Sequence, residues 1–173
     1  MTIAQATQPA VAAIFETGAW LDGQGVANVS PMNKGGAETL SGITISMTHA
    51  IHSCGIRDTD GKIIYGGEAC GYVLELENGF KIYHAGDTAL FGDMKLIAQL
   101  YKPDLAMLPI GDRFTMDPRA AAVAVKLLKP KYVIPMHHST FPLLTGTPEA
   151  FRKALRGIEG VKLLTLAPGE TAA

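Results

Sequence analysis

Cysteines, excess charge and long apolar runs are all scarce in this chain of 173 residues. The two cysteines, Cys54 and Cys70, have neither a disulfide-type nor a metal-type spacing, which favours a reducing compartment. No apolar run reaches the length that spans a bilayer, and the first residues lack the basic segment that opens a signal peptide. We therefore expect a cytoplasmic protein with no membrane partner.

The charges nearly cancel, because 15 lysines and arginines face 16 acidic residues for a formal net charge of −1. This balance offers no basic footprint for a nucleic acid, so we expect no nucleic-acid partner. Hydrophobic residues make up 47% of the chain, which is enough for a substantial core. Since no repeat, low-complexity tract or linker divides it, residues 1–173 are predicted to form a single domain.

The first half of the chain shows short apolar runs and one clear hairpin pattern. Strands are predicted at 10–15 and 43–48, and a helix at 16–24. Alternating residues at 72–77 and 80–84 predict an antiparallel hairpin, with Asn78-Gly79 in a type I′ turn.

The second half follows a βα pattern. Strands are predicted at 105–109, 131–136 and 161–166, with helices at 94–101, from Asp117-Pro118 and from Thr147-Pro148. Hairpins followed by αβ alternation predict a layered α/β fold rather than a sandwich or a bundle.

The residues that can carry chemistry follow predicted strands. A single histidine is more often a core or surface residue than a ligand. His52, Asp87 and His137 differ in position, because each comes just after a strand and such loops converge at one sheet edge. Two imidazoles and a carboxylate suit Zn²⁺ or a similar ion, and an aspartate can bridge two ions. The Thr88 hydroxyl is placed to orient the Asp87 carboxylate.

Four segments carry a family resemblance. They are residues 49–53 (HAIHS), 80–88 (FKIYHAGDT), 108–116 (LPIGDRFTM) and 134–142 (IPMHHSTFP). In these segments the chain resembles a "metal-dependent hydrolase" branch of the metallo-β-lactamase superfamily, related to the ascorbate-6-phosphate lactonases. The resemblance runs from about Ile3 to Glu170 with the segments in the family's order. It implies an α/β protein, α+β layered, with the four-layer αβ/βα fold.

The resemblance also implies roles for individual residues. His52 is similar to a histidine ligand of the first metal, and His137 to a histidine ligand of the second. Asp87 is similar to the catalytic carboxylate that bridges both metals. His49 and His138 stand where the family need not have histidine, so we expect them beside the site rather than on a metal.

Three further residues are expected behind the ligands or along the pocket. His84 is expected at a strand end or behind a ligand. Asp112 and Thr115 are expected to shape the pocket or hold a ligand histidine, with turn formation as an equal alternative for Asp112.

The chain departs from the family in one respect, since it contains no His-x-His-x-Asp-His motif. We expect that the sequence starts just after this motif and lacks the opening strands, so that the fold is truncated at the N-terminus. Three ligands divided between two metals predict reduced occupancy. Either a homo-oligomer or a complementing N-terminal segment is then expected to cover the exposed sheet.

The resemblance implies a hydrolase that acts on a small-molecule ester, lactone or phosphoester. Two divalent ions, with Zn²⁺ favoured over Mn²⁺ or iron, would activate a water. The chain on its own is expected to be inactive if occupancy is too low. The alternative is a non-catalytic scaffold or assembly module that has lost the first metal motif.

Overall fold

Eleven strands and five helices follow one another in a computed structural model that describes residues 2–172. Met1 and Ala173, the ends of the predicted domain, lie outside the described residues. The elements are α1 (Thr2–Thr7), β1 (Val11–Ile14), α2 (Phe15–Gly23), β2 (Val29–Met32), β3 (Ala37–Leu40), β4 (Ile43–His49), β5 (Gly55–Arg57), β6 (Ile63–Tyr65), β7 (Cys70–Glu75), β8 (Lys81–His84), α3 (Met94–Tyr101), β9 (Leu105–Pro109), α4 (Pro118–Leu128), β10 (Tyr132–Met136), α5 (Pro148–Ala154) and β11 (Lys162–Leu163).

Most of the strands form one seven-stranded sheet, in the order β11-β10-β9-β8-β7-β4-β3. Strands β8 to β11 are parallel, whereas β7 is antiparallel to both β8 and β4. It follows that β4 runs in the same direction as β8, β9 and β10. The loops after these four strands therefore leave the sheet at one edge, as predicted.

The two faces of this sheet are covered differently. Helices α3, α4 and α5 pack on one face through a core that includes Tyr83, Leu108 and Phe151. On the other face, Met47 and its cross-strand partner Tyr72 meet the parallel pair β1-β2, which α2 covers in turn. This gives the layers helix, sheet, sheet and helix, which confirms the predicted four-layer fold. Within residues 2–172 the second sheet contains only β1 and β2.

The predicted hairpin is confirmed, but its predicted turn type is wrong. Gly79 has a positive φ of 78°, whereas Asn78 does not, and a type I′ turn needs both. The Gly79 amide donates to the Leu76 carbonyl, and the Leu76 amide donates to the Phe80 carbonyl. The loop is therefore a three-residue connection that ends in a glycine bulge.

The capping residues predicted for helices α4 and α5 are confirmed. Asp117 accepts a hydrogen bond from the Ala120 amide, and Thr147 accepts one from the Ala150 amide. The predicted strand at 161–166 is shorter, since β11 contains only two residues. No helix within residues 2–172 is both long enough and apolar enough to span a bilayer.

Candidate metal centre

Backbone hydrogen bonds join the loops at the shared sheet edge. Thr88, fully buried, accepts from the Ile51 amide through its hydroxyl and from the Met116 amide through its carbonyl. The Ala89 amide also donates to the Ile51 carbonyl. These bonds fix the loops after β4, β8 and β9 to one another, and His52 and Asp87 each lie next to a bonded residue.

Asp87 and His137 form the close pair of this centre. His137 Nε2 lies 3.5 Å from Asp87 Oδ2, with 26% of the His137 side chain and 46% of the Asp87 side chain exposed. His137 has a positive φ of 53°, a conformation that a residue other than glycine holds only where its surroundings enforce it. Its buried Nδ1 has no hydrogen-bond partner within residues 2–172. Both features are typical of a functional position.

A glycine allows the His137 backbone to approach the loop after β9. A Cβ added to Gly111 would overlap the His137 carbonyl oxygen and lie 3.2 Å from its Nδ1. The loops after β9 and β10 therefore pack too closely for any side chain at position 111. This contact holds the imidazole beside Asp87.

The exposed His52 side chain has one ring nitrogen with a free lone pair, which is the form that binds a metal. Its Nδ1 lies 2.9 Å from the Ser53 carbonyl oxygen, which can only accept, so Nδ1 carries the proton. The Nε2 lone pair is then free to bind an ion. His52 and Asp87 line the same open cavity, of about 440 Å³.

The donor chemistry of these three residues fits a divalent metal such as zinc. However, no three His, Cys, Asp or Glu side chains within residues 2–172 come close enough together to hold one ion. The structure brings Asp87 to His137 and places His52 on the same cavity as Asp87. Their roles as ligands remain predictions.

The role predicted for Thr88 beside the metal ligands remains a prediction. In the structure its hydroxyl donates to the Ala89 carbonyl at 2.8 Å and not to the Asp87 carboxylate. Thr88 instead supports the site indirectly, by joining the loop of His52 to that of Asp87.

The other three histidines have partners of their own. His49 Nδ1 lies 3.0 Å from Lys34 Nζ and its ring packs edge-on against Phe91. His138 Nδ1 lies 3.0 Å from Ser139 Oγ. His84 Nδ1 accepts from the Gly86 amide, and burial lowers the pKa of the imidazole, which favours its neutral form.

Asp112 organises the loop after β9 and makes no hydrogen bond to a histidine. Its carboxylate accepts from the Arg113 amide at 2.7 Å and from the Thr145 hydroxyl at 3.0 Å. These two bonds lower the pKa of Asp112, the Arg113 amide more than Thr145. Of the two roles considered, turn formation is the one that these contacts support. The Thr115 hydroxyl is buried and has no partner within residues 2–172.

Lys34 and Glu68 lie near the centre, although the sequence predicted no role in it for either residue. Lys34 contacts Glu68 at 2.5 Å as well as His49, and these three residues line a neighbouring cavity of about 520 Å³ that His52 also borders. No spacing in the sequence links residue 34 to residue 68, so only the fold reveals this cluster.

The two cysteines both line the cavity of His52 and Asp87. Cys70 Sγ lies 3.4 Å from the Tyr72 hydroxyl. Burial raises the pKa of the Cys70 thiol.

Aromatic residues form the outer rim. Phe114 and Phe141, about half exposed, lie with ring centroids 6.2 Å apart, and the Arg113 guanidinium lies 5.5 Å from the Phe114 centroid. Residues 113 and 114 belong to the loop that Met116 ties to Thr88. The rim therefore combines an apolar surface with a positive charge beside the metal centre.

Comparison with known proteins agrees with this architecture. Residues 2–138 match the family model described as "Beta-lactamase superfamily domain". A UPF0173 metal-dependent hydrolase of Koribacter versatilis is 53% identical over 169 residues, which cover 98% of this chain and 71% of that protein. A UPF0173 metal-dependent hydrolase of Solibacter usitatus is 54% identical, over 97% of this chain and 72% of the relative.

A solved structure shows the same fold. Igni18, a metallo hydrolase from the archaeon Ignicoccus hospitalis, superposes with a TM-score of 0.85 at 34% identity, over 99% of this chain and 71% of Igni18. These similarities cover nearly the whole chain and include all the loops of the candidate centre. The chain belongs to the beta-lactamase superfamily and, within it, to the family of UPF0173 metal-dependent hydrolases.

Proposed function

We propose that this chain is a metal-dependent hydrolase whose ligands include His52, Asp87 and His137. The observation that carries the proposal is the placement of Asp87 beside His137, on the cavity that His52 also lines. The free Nε2 of His52 and the Asp87 carboxylate are donors that Zn²⁺, Mn²⁺ and iron all accept. Zinc is the ion we favour, and Asp87 is the carboxylate that would be shared if two ions bind.

The residues of the chain prepare this site in distinct ways. A bound divalent ion supplies a water that deprotonates near neutral pH and a positive charge for the substrate oxygen. Ser53 fixes the tautomer of His52, and Gly111 fixes the position of His137. Thr88 keeps the loops of His52 and Asp87 in register, so that the donors are positioned before an ion arrives.

We propose a small ester, lactone or phosphoester as the substrate. Its reacting group would face Asp87, and an apolar part would lie on Phe114 and Phe141. Arg113 offers a positive charge for an anionic group on the same substrate.

Further ligands for two ions would come from a second copy of the chain or from a complementing N-terminal segment. In support, the face of β8 to β10 opposite the helices carries apolar side chains that are only partly buried, such as Ile82, Met107 and Ile134. Such a surface favours association, because burial of apolar area is stabilising.

One observation favours the alternative of a non-catalytic scaffold. Within the described range 2–172, no three ligating side chains are grouped tightly enough for one ion. A scaffold would keep the loops and their hydrogen bonds without binding metal. The two proposals therefore differ in metal content.

The test is metal analysis with a hydrolysis assay. The chain is loaded with Zn²⁺, dialysed and analysed for bound zinc, alone and fused to the remaining part of a relative. We expect Asp87→Ala to lose bound zinc and ester hydrolysis, whereas Asp60→Ala, in the exposed β5-β6 turn, keeps both. If the fused protein binds no zinc, the scaffold is the correct function. If Asp87→Ala keeps zinc and hydrolysis as Asp60→Ala does, Asp87 is not a ligand.

A further inference from the structure

A third cavity, of about 670 Å³, lies at the opposite edge of the seven-stranded sheet. It opens where α3 and α4 end and where β9 and β10 begin. Ala98 and Leu127, which are only partly buried, contribute apolar surface to it. Five exposed lysines also line it: Lys95, Lys102, Lys126, Lys129 and Lys131.

This cavity concentrates positive charge in a protein that is otherwise acidic. Five lysines against the single Asp104 give its lining a formal charge of +4. Since the net charge of the chain is −1, the rest of the molecule carries −5. The C-terminal ends of α3 and α4 each contribute about half a negative charge, so the cavity stays strongly positive.

Only one of the five lysines has an acidic partner. Lys131 Nζ lies 2.8 Å from Asp104 Oδ1, and the other oxygen of Asp104 accepts from the Lys81 amide. Among the ion pairs within residues 2–172, none includes Lys95, Lys102, Lys126 or Lys129. Four ammonium groups are therefore free to meet an anion.

Stabilisation of helix ends accounts for Lys102, Lys126 and Lys129 but not for Lys95. Lys95 lies in the first turn of α3, where a positive charge opposes the helix dipole. Lys95, Gln99 and Lys102 nevertheless line the cavity together, at the spacing of one helix face.

The lysines that end the two helices also occupy an unfavourable backbone conformation. Lys102 and Lys129 have positive φ values of 51° and 52° at positions where glycine is the usual residue. Both carry a long cation there instead. A ligand that contacts the ammonium groups of Lys102 and Lys129 explains why lysine occupies these positions, because glycine has no side chain to make that contact.

We propose that this cavity binds an organic phosphate of the nucleotide type. Its phosphate groups would contact the free lysines, and its flat apolar group would lie against Ala98 and Leu127. Lysine is a common phosphate ligand because its ammonium group is a compact charge with three donors. The apolar surface adds selectivity for a phosphate that carries a base over inorganic phosphate.

The experiment is isothermal titration calorimetry with ADP on the metal-free chain. Pyrophosphate and adenosine serve as the charged and apolar halves of the probe. We expect ADP to bind more tightly than pyrophosphate and adenosine to show no measurable binding. The Kd for ADP should rise with NaCl, since salt screens exposed charges.

Matched double variants identify the site. Lys102→Gln with Lys129→Gln should raise the Kd for ADP about ten-fold or more. Lys62→Gln with Lys153→Gln removes the same charge elsewhere and should change the Kd by less than about two-fold. Asp87→Ala should leave ADP binding unchanged, because the metal centre lies at the other edge. Thermal melts of each variant establish that it is folded.

Three results would overturn the proposal: no binding of ADP by the wild-type chain at millimolar concentration, equal weakening by the two double variants, or loss of binding in Asp87→Ala. Binding of an oligonucleotide without binding of ADP would also overturn it, in favour of a nucleic-acid surface.

Discussion

Ring orientation distinguishes the histidines that suit a metal from their neighbours in sequence. His52 holds its Nε2 free because Ser53 fixes its Nδ1 proton, and His137 directs Nε2 at Asp87. His49 instead contacts Lys34, and His138 contacts Ser139. The position of each histidine after a strand is visible in the sequence. The nitrogen that remains free depends on hydrogen bonds that only the folded loops define.

Paired substitutions test this distinction. His52→Gln and His137→Gln should each weaken zinc binding by about ten-fold or more, because each removes an imidazole donor. His49→Gln and His138→Gln should each change it by less than about three-fold, since neither ring nitrogen is expected on the metal. Competition with a chelating dye measures all four affinities. Equal losses in His52→Gln and His49→Gln, or in His137→Gln and His138→Gln, would contradict the assignment.

At the scale of elements, the loops after β4, β8, β9 and β10 behave as one bonded unit. Their strands were predicted because apolar runs and turn residues are local features. The hydrogen bonds between the loops were not predicted, because they join residues that are far apart in the sequence. The Thr88 hydroxyl, for example, accepts from an amide 37 residues away. The same limit applies to Thr88, whose hydroxyl donates to the Ala89 carbonyl and not to its acidic neighbour in the sequence.

A glycine substitution tests how tightly these loops pack. A Cβ added to Gly146 would overlap the Ile110 carbonyl oxygen, so Gly146→Ala must separate the loops after β9 and β10. We expect a loss of about 2 kcal/mol or more in the free energy of unfolding, with weaker zinc binding. Gly92→Ala is the control, because nothing lies within 4 Å of its added Cβ. Urea denaturation of both variants measures the difference, and equal stability would refute the close packing.

The ion pair at the start of β9 predicts a dependence of stability on pH. Lys131 lowers the pKa of Asp104 below its ordinary value of 3.8. A carboxylate whose pKa is lowered by folding stabilises the fold above pH 3.8, and this contribution disappears as the pH falls through the lowered pKa.

Lys131→Met should therefore be less stable than wild type at pH 6, with the difference shrinking below pH 3.8. Lys126→Met, which removes a lysine without an ion pair, should show no such convergence. Urea denaturation at a series of pH values measures both. A difference that stays constant down to pH 2 would contradict the role given to Asp104.

At the scale of the whole molecule, one sheet organises three regions. The candidate metal centre lies at one edge, the lysine-lined cavity lies at the other, and a partly covered apolar face lies between them. Alternation and strand ends in the sequence predicted a layered α/β fold and the edge of the metal centre, and the family resemblance implied the four layers. The sequence did not predict the lysine-lined cavity, because the five lysines come from separate elements. They lie at both ends of α3, at the end of α4 and at the start of β10.

The partly covered face predicts self-association. Ile134 and Met107 are partners on adjacent strands and are only partly buried on this face. We expect the wild-type chain to sediment as a dimer or larger species, and Ile134→Lys to shift it towards the monomer, because a charge there opposes apolar contact. Val123→Lys, at an exposed position of α4, should have no effect. A wild-type chain that is monomeric at all concentrations would contradict this expectation.

X-ray absorption spectroscopy of the zinc-loaded chain tests the central claim most directly, because it reports which atoms contact the metal. We expect imidazole nitrogens and carboxylate oxygens at about 2.0–2.2 Å from the zinc. Zinc bound to sulfur at about 2.3 Å, from Cys54 or Cys70, or a spectrum without imidazole scattering would contradict it.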